Sequence, residues 1–133
     1  MISNARVELW RAAADDLIVG SASFARRREH AECYLDNPGF GGPNLYRCEV
    51  EIDEARVLDL LDADDALEEL CRVAGTSHPG STTADQHAPR IADELQAAGV
   101  SWVRVLDTFP EGCETWIFVG PSDEDPEMQL ADD

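Results

Sequence analysis

An α+β domain is the fold class this sequence predicts, and three observations predict it. Leu45–Ile52 alternates apolar and polar side chains, and Trp102–Leu106 and Thr115–Val119 are short apolar runs either side of a Pro- and Gly-containing turn. Two central segments, near 64–74 and 89–98, instead carry apolar residues at helical spacing. Strands early, helices in the middle and a closing hairpin do not alternate as a βαβ fold would. With 133 residues, the chain is long enough for one domain with a substantial core.

In chain order, Val7–Arg11 is a short strand, and Ser21–Ala25 is a second short element leading into a helical stretch, Arg26–Leu35. In that stretch Arg28 and Glu32 have the i,i+4 spacing of an ion pair, with Ala31, Tyr34 and Leu35 on the apolar side. Asn37-Pro38-Gly39 and Gly41-Gly42-Pro43 end it in a turn. In Leu45–Ile52 the side chains of Tyr46, Cys48, Val50 and Ile52 share one face, and Val57–Leu61 is a further short strand. Asp65 and Glu68 have capping-box-like spacing ahead of a helix running to Ala74, with Leu67, Leu70, Cys71 and Ala74 as its apolar stripe and Gly75 as its stop. Thr76–Gln86 is polar and is expected to be a mobile loop. A second helix follows over Pro89–Ala98, with Ile91, Leu95 and Ala98 inward and Gly99 at its end. Phe109-Pro110-Glu111-Gly112 suits a type I turn between the last two strands. Val103, Val105, Trp116, Ile117 and Phe118 are the expected core cluster there, and Ser122–Asp133 is an acidic tail with almost no apolar anchor.

The chain holds 28 Asp plus Glu against 10 basic residues, all arginine, for a net charge of −18. That sign excludes a direct nucleic-acid-binding role, which needs a basic footprint, and disfavours anionic membrane surfaces. A hydrophobic fraction of 44% separates the acidity from disorder. No window approaches the roughly 18 apolar residues of a spanning helix, so the expected setting is soluble and cytoplasmic. The charge fits a solvated halophilic surface, docking to a basic partner, or mimicry of nucleic acid. Acidic residues in every segment favour the first. Cys33, Cys48, Cys71 and Cys113 lack the close spacing of a zinc or dithiol site, and His30 with Cys33 alone does not make a metal site.

No Walker-type loop, GxSxG, HExxH or Cys–His nucleophile pattern occurs. What remains is polar residues at strand ends. Arg11 closes the first strand, Ser21 and Ser23 bracket the second, and Asp107 and Glu114 flank the hairpin, where they are expected to face each other across the two strands. Paired carboxylates there suit acid–base work or stabilisation of a cationic transition state.

Over residues 7 to 121 the order of these elements resembles small prokaryotic and viral proteins of the ADP-ribosyltransferase fold. The likeness is carried by Val7–Arg11, Ser21–Phe24, Ala31 and Tyr34, Leu45–Val50, Val57–Leu60, Ala98–Asp107 and Trp116–Val119. It is nearest to the anti-CRISPR proteins that ADP-ribosylate a type I-F surveillance complex. The resemblance implies a split β-sandwich, with one domain over residues 1–121 and a flexible tail over 122–133. It also implies NAD as co-substrate, attacked at its nicotinamide-bearing ribose carbon, with a protein as target, such as a nucleic-acid-binding complex. In that scheme Asp107 and Glu114 are the catalytic carboxylates, Arg11 holds the NAD phosphate or ribose, Ser21 and Ser23 shape the nicotinamide pocket, and Phe24 is the aromatic beside it. The sequence departs from the family at Arg11-Ala12, where diphtheria-type members have His-Gly. It departs again at Ser21-Ala22-Ser23, which lacks the central Thr, and in the three-residue spacing of Glu111 and Glu114. The alternative is an acidic inhibitor on the same scaffold that does no chemistry.

Overall fold

The computed structural model describes residues 4–13, 22–33, 44–77, 80–108, 111–120 and 128–130. Its strands are β1 (Asn4–Ala13), β2 (Ala22–Ala25), β3 (Asn44–Asp53), β4 (Val57–Asp59), β5 (Trp102–Thr108), β6 (Glu111–Phe118) and β7 (Met128–Leu130). The α-helices are α1 (Arg28–Glu32), α2 (Ala66–Ala74), α3 (Ala84–His87) and α4 (Ala92–Ala97). All seven strands form one mixed sheet in the order β4-β5-β6-β2-β1-β3-β7, so the fold is α+β as expected.

β1 and β3 make a ten-residue antiparallel ladder from Asn4↔Asp53 to Ala13↔Asn44. Tyr46, Cys48 and Ile52 are buried on one face of β3, while Arg47, Glu49 and Glu51 are exposed on the other, which is the alternation read from the sequence. Among the described residues one register pair, Trp10↔Ala25, joins β1 to β2. The sheet runs continuously through that seam, where the resemblance implied two separate sheets. In a flat sheet, strands four places apart would lie about 19 Å from one another. Yet Ile52 of β3 lines one cleft with Trp102 of β5 and Phe118 of β6, so the two halves curl toward each other.

This curl buries β5 and β6 on both faces. Val103, Val105, Ile117 and Val119 pack with Leu67, Leu70, Ile91 and Leu95 of the helices. Trp102, Trp116 and Phe118 face the opposite way and pack with Phe24, Leu9, Cys48, Ile52 and Met128. The expected single hairpin cluster is thus two cores, separated by the pleat of the same two strands.

α2 follows its local signals. The Asp65 side chain accepts from the Glu68 backbone N–H at 3.1 Å, and Gly75 closes the helix with φ of 73°, a conformation that glycine adopts without penalty. Replacing Asp65 with Ala is expected to cost about 1 kcal/mol in chemical denaturation, while Asn, which keeps the accepting oxygen, should cost almost nothing.

Several expectations shift. The helix over Pro89–Ala98 is interrupted: a 3-10 turn, Ala88–Ile91, separates α3 from α4, and Pro89 supplies no N–H there. Ala98 is exposed, and Val100 is the next inward residue after Leu95. The loop over Thr76–Gln86 gives way to α3 at Ala84. The helix expected over Arg26–Leu35 is described only as α1, with the Arg28–Glu32 pair at 3.8 Å; Tyr34, Leu35 and the turns at 37–43 lie outside the described residues. Glu111 and Gly112 belong to β6, not to the hairpin turn, and Phe109 and Pro110 lie outside the described residues. Within the expected tail, Met128–Leu130 instead add to β3 as β7, with Met128 buried in the aromatic core.

Candidate functional site

Cross-strand partners in a sheet present their side chains on the same face. Asp59 pairs with Arg104, Arg104 with Trp116, and Trp116 with Phe24. Next along that line, the Arg11 guanidinium lies 5.8 Å from the centre of the Phe24 ring. One row on the inner face of the curled sheet therefore reads Asp59, Arg104, Trp116, Phe24, Arg11.

Glu114 joins this row because it is two residues before Trp116 on the same strand and so shares its face. The Trp116 indole Nε1–H donates to Glu114 Oε2 at 2.7 Å, and Arg104 Nη2 donates to Oε1 at 3.1 Å. Arg104 also binds Asp59 Oδ2 through Nη1 at 3.1 Å, and its guanidinium lies 5.5 Å from the Trp116 ring centre. Both oxygens of Glu114 are thus fixed, on a side chain that is only 25% exposed. Asp59 and Glu114 meet on the Arg104 guanidinium, and the charge of Arg26 also reaches Glu114.

Burial alone would raise the Glu114 pKa. The hydrogen bonds from Arg104 and Trp116, with the charges of Arg104 and Arg26, outweigh it and hold the carboxyl below its ordinary range. The Glu114 hydrogen bond is also the largest cause of the raised Arg104 pKa. A carboxyl with a depressed folded-state pKa contributes stability that is present above the unfolded value, about 4.3, and is lost as pH falls through the folded value. Stability measured by urea unfolding should accordingly drop below about pH 4, and a Glu114→Gln variant should show a smaller drop over that interval.

Of the residues singled out in the sequence, the structure brings Arg11, Phe24 and Glu114 onto one face. Arg11 Nη1 donates to the Ser23 carbonyl oxygen at 3.0 Å, so Ser23 contributes its backbone there. Ser23 itself pairs with Ile117, which puts its side chain on the face opposite Phe24. Ser21 lies outside the described residues.

Asp107 and Glu114 do not face each other: Glu114 pairs with Leu106, the next pair is Thr108↔Glu111, and Asp107 sits in the irregularity between them. Asp107 is thus placed in β5, with its side chain outside the described residues. Arg104, Trp116 and Asp59 were not singled out as site residues. The available signal was an arginine inside the apolar run Trp102–Leu106, opposite a strand that begins with acids.

Chemically, the row offers a fixed carboxylate for a developing positive charge and a guanidinium on the far side of Phe24, while the rings of Phe24 and Trp116 are themselves buried. Among the described residues no helix is long and apolar enough to cross a membrane. No protein-family model matches the chain, and no curated protein matches it.

Proposed function

We propose that the chain is an NAD-dependent mono-ADP-ribosyltransferase that modifies a protein target, with the sheet seam between β1 and β2 marking the split of an ADP-ribosyltransferase-like sandwich. The observation that carries this reading is the carboxylate of Glu114, fixed by Arg104 and Trp116 on the same inner face as Phe24 and Arg11. These residue types fit the co-substrate. Arg11 offers a cation for the diphosphate and Glu114 a negative charge for the ribose carbon as nicotinamide departs, while Phe24, itself buried, backs the Arg11 guanidinium. Arg104 and Trp116 orient that carboxylate. Asp107, Ser21 and Ser23 stay in the proposed site on the strength of the sequence resemblance. NAD should raise the melting temperature of the purified protein, and nicotinamide should accumulate when the two are incubated together. Absence of both effects with NAD at millimolar concentration would refute the reading.

A second reading, an acidic inhibitor that occupies a basic groove, is favoured by one feature. Asp62, Asp64, Asp65 and Glu68 are all exposed around the start of α2, and Arg72 on that helix is tied to Glu69. That reading requires a partner complex that weakens steeply with salt and is indifferent to NAD.

A further inference from the structure

β5 outlasts its neighbour on one side. β4 pairs with it over Trp102–Arg104, whereas β5 runs on to Thr108, and among the described residues no other strand pairs with β5 on that side. The Arg104 carbonyl accepts from the Leu60 N–H at 2.8 Å, so the main-chain groups of Arg104 point toward β4. Strand residues alternate in this direction. Leu106, two positions on, therefore turns its own N–H and C=O the same way, past the end of β4. A main-chain edge of that kind is a template for an added strand.

The side chain at that point is apolar and open. Leu106 is 47% exposed, and its register partner Glu114 places it on the inner face, beside the fixed carboxylate. The chain leaving β4 turns at the same place: the Ala63 N–H donates to the Leu60 carbonyl at 3.3 Å, and Asp62, Asp64 and Asp65 are exposed around that turn. The turn leads into α2, which packs on the other face of β5, against Val103 and Val105. The edge thus has an apolar contact on one face and acids on the other. An extended segment that alternates apolar and basic side chains complements both. A second copy of this chain suits the place poorly, because it brings a net charge of −18 to the same acids.

We propose that the edge of β5 at Leu106 docks an extended basic segment of a protein partner by strand addition. One residue of the segment exchanges main-chain hydrogen bonds with Leu106 and lays an apolar side chain against it, while its neighbours turn Lys or Arg side chains toward Asp62 and Asp64. That this segment belongs to the ADP-ribosylated target rests on the NAD reading of Glu114; the docking itself needs only the edge, Leu106 and the acids.

A short synthetic peptide alternating arginine and valine is the probe, titrated into the full chain without NAD and followed by calorimetry and by amide hydrogen exchange in NMR. It should bind one-to-one and protect the Leu106 N–H from exchange. Replacing its arginines with glutamate, or N-methylating its valine nitrogens, should weaken binding about tenfold or more. Leu106→Ser should weaken it about threefold. The double variant Asp62→Asn, Asp64→Asn should do the same and flatten the salt dependence. No binding, equal affinity for the glutamate or N-methylated peptide, or an unprotected Leu106 N–H in the complex would overturn the proposal. So would Leu106 protection that rises with protein concentration in the absence of peptide, which assigns the edge to a second copy. Separate titration with NAD keeps the two claims apart. Peptide binding without NAD binding removes the transferase reading alone, and NAD binding without peptide binding removes the docking alone.

Discussion

Replacing Phe118 with alanine is expected to remove about 3–5 kcal/mol of folding stability. A domain of this kind has about 5–15 kcal/mol in total, so this single change should take the chain close to unfolding at ambient temperature. Phe118 is 1% exposed and ends β6, where it pairs with Trp102 on one side and Ala22 on the other. Its ring fills the space between the two halves of the curled sheet, where cavity cost is added to lost transfer energy because the surrounding indoles cannot collapse inward. Urea unfolding measures the loss. A red shift of tryptophan emission in the folded baseline would report that the indole of Trp102 has lost its neighbour. Ile117→Ala, one residue earlier, should cost about 2–5 kcal/mol through the other core, against the helices, without that shift.

The second large effect is on turnover. Glu114→Gln is expected to slow NAD cleavage about 10²–10³-fold, the scale seen when one preorganised electrostatic group is removed from a reacting centre. Glutamine keeps an oxygen to accept from the Trp116 indole, so the local structure should persist while the negative charge is gone. NAD affinity should change little, because the charge that Glu114 opposes exists only as nicotinamide leaves. Arg11→Ala should do the reverse, weakening NAD binding about tenfold or more while leaving the slow step at saturation nearly unchanged. A stopped assay for free nicotinamide, run across NAD concentrations, separates the two.

Much of this architecture was legible where one local signal decides the outcome. β3 reads correctly because one of its faces is buried and the other is not, and α2 reads correctly because Asp65 and Gly75 cap it within its own sequence. Cys48 and Cys71 are buried on the faces that periodicity assigns them. Elements that depend on distant partners were not legible. Met128–Leu130 becomes a strand only because the edge of β3 is available to it, and three residues in an acidic segment give no periodic signal.

The cross-strand register at the hairpin was not legible in the sequence. Pairing Asp107 with Glu114 presumes a regular hairpin closed at 109–112, whereas β6 begins at Glu111 and the ladder slips between Leu106 and Thr108. Glu114 pairs with Leu106, which puts it on the face of Arg104, two residues back along β5, so that Arg104 meets it. Arg11 and Glu114 stood out as polar residues at strand ends and Phe24 through the resemblance; that the three share one face follows from a cross-strand register the sequence does not display.

The central claim is that the face carrying Arg11, Phe24 and Glu114 is an NAD site in a protein of net charge −18. Calorimetric titration of NAD into the purified chain, at low salt and again at about 1 M salt where the Debye length is roughly 3 Å, tests it most directly. Saturable one-to-one binding that survives high salt, because short-range hydrogen bonds hold the ligand, and that Arg11→Ala weakens, is the expected result. Absence of binding at both salt concentrations, or binding that Arg11→Ala leaves unchanged, would contradict it.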